Sequence, residues 1–145
     1  MGFRKGVVNM INLSLGLIYG VSGAGKSTRV YQLISFFREK NFKMEEVKFN
    51  NKVVGYYFNN INVLILGKLY DSGYERIQCL DAVTGAFEKA ENISIFIKEK
   101  IEKGCNVIVE GASLTQSNRY RPQFCKEFLN CKNYFAISYS YLKLN

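Results

Sequence analysis

The chain has no histidine, a single proline, and four cysteines, none of them in a CxxC pair. Without imidazole or paired thiols, Cys79, Cys105, Cys125 and Cys131 do not read as a zinc site. They read as reduced thiols of a cytoplasmic protein. With so little proline and no low-complexity run, no linker is visible, so residues 1–145 are expected to form one domain, large enough to bury a core. Met1 to Tyr19 imitates a signal peptide, with Arg4 and Lys5 ahead of an apolar stretch. Asn9, Asn12 and Ser14 interrupt that stretch, and no membrane association is expected. Residues 1–9 carry no motif, and Met10 is an equally good start. No block of consecutive basic residues stands out, yet 20 Lys and Arg against 12 Asp and Glu leave a net charge of +8. That balance attracts polyanions such as nucleotides or nucleic acid; a merely basic, solubilising surface is the alternative.

The most informative stretch is Leu13 to Phe37, "LSLGLIYGVSGAGKSTRVYQLISFF". Gly20-Val21-Ser22-Gly23-Ala24-Gly25-Lys26-Ser27 satisfies GxxxxGK[ST], the phosphate-binding P-loop pattern. Leu13 to Tyr19 is short and apolar, as a buried strand is. Val30, Leu33, Ile34 and Phe37 recur at helical spacing. Strand, loop and helix therefore follow in the order the motif requires. Gly20, Gly23 and Gly25 allow successive backbone N–H groups to point into one concavity, with the N–H groups of Ser22, Ala24 and Thr28 contributing to the same cradle. The helix starting near Lys26 adds its unpaired N–H groups and positive dipole end. Lys26 is expected to reach the β- and γ-phosphates of ATP or GTP, and Ser27 to ligate Mg²⁺. The competing reading is a flexible Gly/Ser turn with a solvated lysine.

Beyond Asn41 the pattern becomes extended. Val47–Phe49, Val53–Phe58 and Ile61–Leu66 are β-rich runs separated by Asn50-Asn51 and Asn59-Asn60, pairs that suit tight hairpins. An antiparallel meander is expected there. Leu80 to Phe87 reads as a helix interrupted by Gly85. Ile93, Phe96, Ile97 and Ile101 form the stripe of another, with Gly104 as its C-cap. Val107–Val109 is a short buried strand closed by Glu110 and Gly111, which puts an acid at the sheet edge where ligands bind. There it would orient the metal or act as a base on the acceptor; a solvated strand-end glutamate is the alternative. A helix over Pro122–Asn130 and a strand over Tyr134–Leu142 follow. Arg119 and Arg121, just before that helix, would neutralise a transferring phosphoryl group or hold an anionic acceptor, unless they form a solvated basic turn.

In three segments, "IYGVSGAGKST", "VLILGKLYDSGYERIQCLDAV" and "VIVEGASL", the chain resembles the phage-type P-loop kinases, including the 5-hydroxymethyluracil DNA kinases of bacterial viruses. The resemblance runs to about Gly111 and weakens beyond it. It implies a three-layer α/β P-loop NTPase fold of the nucleotide-kinase kind, a mainly parallel sheet with an antiparallel meander insertion. It further implies ATP-dependent phosphoryl transfer to a hydroxyl of a nucleotide or of a modified DNA base, in the host cytoplasm if the gene is viral. Glu75, Arg76 and Asp81 would line the acceptor side, with Glu75 standing where the family has Asp. Such kinases continue into a basic lid and closing helix, and this chain stops at Asn145. Lid charge would then fall to Arg119, Arg121 or another subunit. A nucleotide-binding module without transfer, a small NTPase or a truncated inactive kinase is the rival expectation; a metabolite kinase is a third.

Overall fold

A computed structural model of the chain describes residues 15–20, 25–69, 77–78, 80–111 and 134–139. Leu15–Gly20 forms the first strand, β1, and Lys26–Glu39 the first helix, α1. On α1 the buried residues are Lys26, Val30 and Ile34, one every four positions, so a single stripe faces the sheet. The helix closes in a Schellman arrangement. Asn41 takes the left-handed conformation (φ 58), its N–H donates to the Arg38 carbonyl, and the Phe42 N–H donates to that of Phe37.

Three antiparallel strands come next: β2 (Met44–Phe49), β3 (Lys52–Phe58) and β4 (Val63–Leu66). The expected meander is present. Asn50 and Asn51 are both left-handed (φ 49 and 63) and form a two-residue turn between the paired Phe49 and Lys52. The second asparagine pair behaves differently from expectation. The β3–β4 connection spans residues 59–62, and its left-handed residue is Asn62 (φ 54). Asn60 instead accepts a hydrogen bond from the Lys43 N–H at 2.8 Å.

Past β4, the short strands β5 (Lys68–Leu69) and β6 (Ile77–Gln78) make a separate antiparallel ribbon. Two helices follow, α2 (Leu80–Phe87) and α3 (Ala90–Glu102). Gly85 does not interrupt α2, because it is exposed, has an ordinary φ and merely lowers helix propensity. The break falls at Glu88, with φ 64. Gly104 (φ 89) closes α3 through the same motif as Asn41, the Cys105 N–H donating to the Lys100 carbonyl. The strands β7 (Asn106–Glu110) and β8 (Tyr134–Tyr139) complete the set. The expected helix over residues 122–130, and residues 140–142 of the expected last strand, lie outside the described residues.

The six-stranded sheet has the order β2-β3-β4-β7-β1-β8. Its β4-β7-β1-β8 portion is parallel and the β2–β3 end antiparallel, so the fold is α/β with a mixed sheet. Side chains alternate across it. Leu15, Leu17, Leu64, Leu66, Val107 and Val109 pack with Val83, Phe87, Ile93 and Ile97 of α2 and α3. On the other face Ile18, Val63, Ile65 and Ile108 pack with Val30 and Ile34 of α1. Helices thus cover both faces, giving three layers.

Candidate active site

Two periodicities bring the chemistry to one place. Val107 and Val109 face α2 and α3, so Ile108 and Glu110 face α1. Lys26 heads the sheet-facing stripe of α1. Strands β1 and β7 are parallel with Ile18 level with Glu110, and the Gly111 N–H donates to the Ile18 carbonyl at 3.1 Å. Strand β1 therefore ends beside the end of β7, at the carboxyl edge of the sheet. The Lys26 ammonium lies 3.9 Å from a Glu110 carboxylate oxygen, and each side chain is 6% exposed. Neither side chain is solvated, in contrast to the solvated lysine and the solvated strand-end glutamate of the alternative readings. A buried ion pair persists only where each charge compensates the other or finds further partners, and both residues engage additional groups.

Gly25, the N-cap of α1, is left-handed (φ 92, ψ 14), and a Cβ there would meet nothing within 4 Å. The requirement is conformational, since a side chain would fit but would strain the backbone. No side chain caps this helix end among the described residues, and its first turn holds no acid. Its leading N–H groups and dipole are accordingly arranged to receive an anion. Ser27 and Thr28 are exposed in that turn. Gly20 ends β1, level with Tyr139 of β8. Ser22, Gly23 and Ala24 lie outside the described residues, as do Glu75, Arg76, Arg119 and Arg121; Asp81 lies in α2.

The β5–β6 ribbon shares this edge. Strand β4 pairs in parallel with β7, Ile65 level with Ile108, so it runs toward the same edge, and β5 begins two residues past its end. The buried Tyr56 hydroxyl accepts a hydrogen bond from the Leu69 N–H at 2.8 Å, fixing β5 against β3. Sequence reasoning did not single out Tyr56, because one tyrosine in a β-rich run carries no distinguishing signal. Buried Ile77 anchors β6 in the α1-side core. Leu69 and Ile77 flank the segment that contains Glu75 and Arg76, which lies outside the described residues.

A second polar cluster lies at the opposite edge and is structural. The Tyr57 hydroxyl donates to Asn62 Oδ1 at 2.6 Å, the Asn62 amide donates to the Gly104 carbonyl, and the Asn106 amide donates to the Asn62 carbonyl at 3.0 Å. Burial pushes the Tyr57 hydroxyl above its ordinary pKa, and Cys105 and Glu45 add to the rise. Burial likewise raises the Cys105 thiol, against the pull of Lys100 and Lys103. Among the described residues no three His, Cys, Asp or Glu side chains cluster as metal ligands, and no helix is long and apolar enough to cross a membrane.

The sequence model of the 5-hmdU DNA kinase 2 family matches residues 10–143. The chain is also similar to the 5-hmdU DNA kinase 2 of Salmonella phage ViI, 27% identical over 115 residues that cover 74% of this chain and 38% of that protein. It therefore spans well under half the length of that relative. No solved structure matches it.

Proposed function

The chain belongs to the 5-hmdU DNA kinase 2 family, and from that premise we propose that it transfers the γ-phosphoryl group of ATP to the hydroxyl of a modified base in DNA. The observation that carries the proposal is the shielded Lys26–Glu110 pair beside an uncapped helix N-terminus. On this reading the three-layer arrangement is a P-loop NTPase fold formed by one domain over residues 1–145. Its +8 charge serves contact with DNA, and the reaction takes place in the host cytoplasm, where that DNA is.

The residues present suit a nucleotide and a divalent cation. Left-handed Gly25 and the first N–H groups of α1 receive phosphate oxygens, and Lys26 supplies a cation in a shielded place, where its attraction for phosphate exceeds that in water. Ser27 and Glu110 offer the hard oxygen donors that Mg²⁺ takes. When bound, Mg²⁺ would neutralise charge gathering on the transferring group. In the transfer, the acceptor hydroxyl oxygen bonds to the γ-phosphorus as the bridge to the β-phosphate breaks; the hydroxyl proton leaves to a base, for which Glu110 is the carboxylate at hand. Glu75, Arg76 and Asp81 are assigned to the acceptor side. Arg119 and Arg121 are assigned to charge on the phosphoryl group.

The test is transfer of labelled γ-phosphate from Mg·ATP to duplex DNA containing 5-hydroxymethyluracil, beside unmodified DNA and deoxynucleoside monophosphates. The expected result is label in the modified duplex alone, reduced about 100-fold or more in Lys26→Ala and falling steeply with salt. Label in no acceptor, from protein that still binds ATP through Lys26, would assign a nucleotide-binding module instead. Phosphate released without acceptor would assign an NTPase.

A further inference from the structure

We infer that the outer edge of β2 is an interface with a second copy of this chain, the two β2 strands pairing antiparallel about a two-fold axis at Val47. The inference is independent of the nucleotide reading. Strand β2 ends the six-stranded sheet and, among the described residues, is paired on one side only, with β3. The irregularity in that pairing leaves Val54 of β3 unmatched between Val53 and Gly55, so β2 itself runs without a bulge and presents a regular row of backbone groups. Charged side chains on an edge ordinarily keep other strands away; here their order selects one partner. Glu46 and Lys48 lie opposite Tyr56 and Val53, both of the α1-side core, so the two charges share one face. Both are exposed, and neither forms an ion pair among the described residues. When Val47 meets Val47 of the second copy, each Glu46 falls opposite a Lys48, with Cβ atoms about 4.5–5.5 Å apart. Two ion pairs then flank the axis. The neighbouring symmetric registers set Glu46 against Glu46 or Lys48 against Lys48, and like charges directly opposite destabilise a strand pair. Beside them Lys43 and Glu45 pair with each other at 3.6 Å. The strip is therefore balanced in charge although the whole chain carries +8, and it suits a copy of itself rather than a polyanion.

Sedimentation equilibrium of the full chain over about 1–300 μM tests this, for wild type, Glu46→Lys, Lys48→Glu, an equal mixture of those two, and a chain carrying both changes. Wild type is expected to dimerise with a Kd of roughly 10 μM, in the range of a small interface. Either single change puts like charges in both facing pairs and should weaken the dimer at least about tenfold. The mixture should associate about as tightly as wild type, because one strand then carries only positive and the other only negative side chains at the two facing positions. The chain carrying both changes keeps the complementarity and should dimerise as wild type does. Urea unfolding checks that each variant folds, as its exposed positions allow. Wild type that stays monomeric throughout would overturn the inference whether or not the variants fold. A dimer that both folded single variants retain would place the interface elsewhere and overturn it too. Failure of the mixture and of the doubly changed chain to associate would refute the register, and the inference with it.

Discussion

Gly67→Ala should damage the fold at the edge that carries the candidate active site, while the same change at Gly85 should stabilise it. Gly67 has φ 145, a region that favours glycine, so alanine there costs about 1–3 kcal/mol in backbone strain. The added Cβ would also lie 2.8 Å from the Gln78 carbonyl oxygen and 3.0 Å from Ile77 Cδ1. The isoleucine tip can move, but the carbonyl belongs to β6, which is tied to β5 through Lys68↔Gln78 and Leu69↔Ile77. Relief therefore requires the ribbon to shift away from the end of β4, against the Tyr56–Leu69 hydrogen bond and the buried Ile77. Overpacking of this kind costs about 1–3 kcal/mol. Taken together, the loss should be about 3 kcal/mol, or roughly 6–12 °C in Tm for a chain of this size. Gly85 is an exposed helical residue with an ordinary φ, and a Cβ there meets nothing within 4 Å. Alanine should gain about 0.5–1 kcal/mol at that position. Urea unfolding of wild type and both variants measures the two changes. A Gly67→Ala loss below about 0.5 kcal/mol would refute the argument that glycine is demanded there by both backbone and space.

Two further perturbations test the turn and the opposite edge. Asn50→Ala should cost about 1–2 kcal/mol, because it places alanine at φ 49 and removes the amide that donates to the Ala86 carbonyl at 3.2 Å; Asn50→Gly should recover the conformational part, and urea midpoints compare them. Stability should fall as pH rises above the ordinary thiol value of 9.0, because the folded state holds Cys105 protonated after the unfolded chain has begun to release its proton, and raised Tyr57 continues the trend above 10.0. Urea unfolding at pH 8 and pH 10 should show a smaller decline for Cys105→Ala, and an unchanged decline would remove Cys105 from the account.

Local features were legible where one short segment decides them. The α1 stripe of Val30 and Ile34, the strand pattern of the meander, the Asn50-Asn51 turn and the Gly104 cap all follow from spacing and side-chain chemistry within a few residues. Gly85 and Asn59-Asn60 were misjudged for a related reason. Propensity marks where a break is cheap, but packing chose Glu88 and Asn62 as the left-handed residues. The meeting of β7 with β1 depends on pairing between residues about ninety positions apart, as in Ile18↔Glu110, and no local pattern encodes it. The same holds for Tyr56, whose hydroxyl matters because of a backbone N–H thirteen residues away.

The fold and the site are bound together by register more tightly than the motif alone suggests. A strand's faces alternate with period two, so a one-residue slip of β7 against β1 would turn Ile108 from the α1 layer toward α2 and α3. It would also expel Val107 and Val109 from the larger core cluster. That slip would carry Glu110 to the face away from Lys26. The alternation of apolar residues that pays for burying β7 is therefore also what presents the carboxylate to the lysine. Lys26 depends on its own repeat in the same way, since it occupies the first position of the stripe continued by Val30 and Ile34. Shifting the helix start by a single residue would swing the ammonium by roughly 100° and out of reach. Selection for a well-packed three-layer core thus also holds the ion pair in place, and core variants that preserve the register should preserve the site.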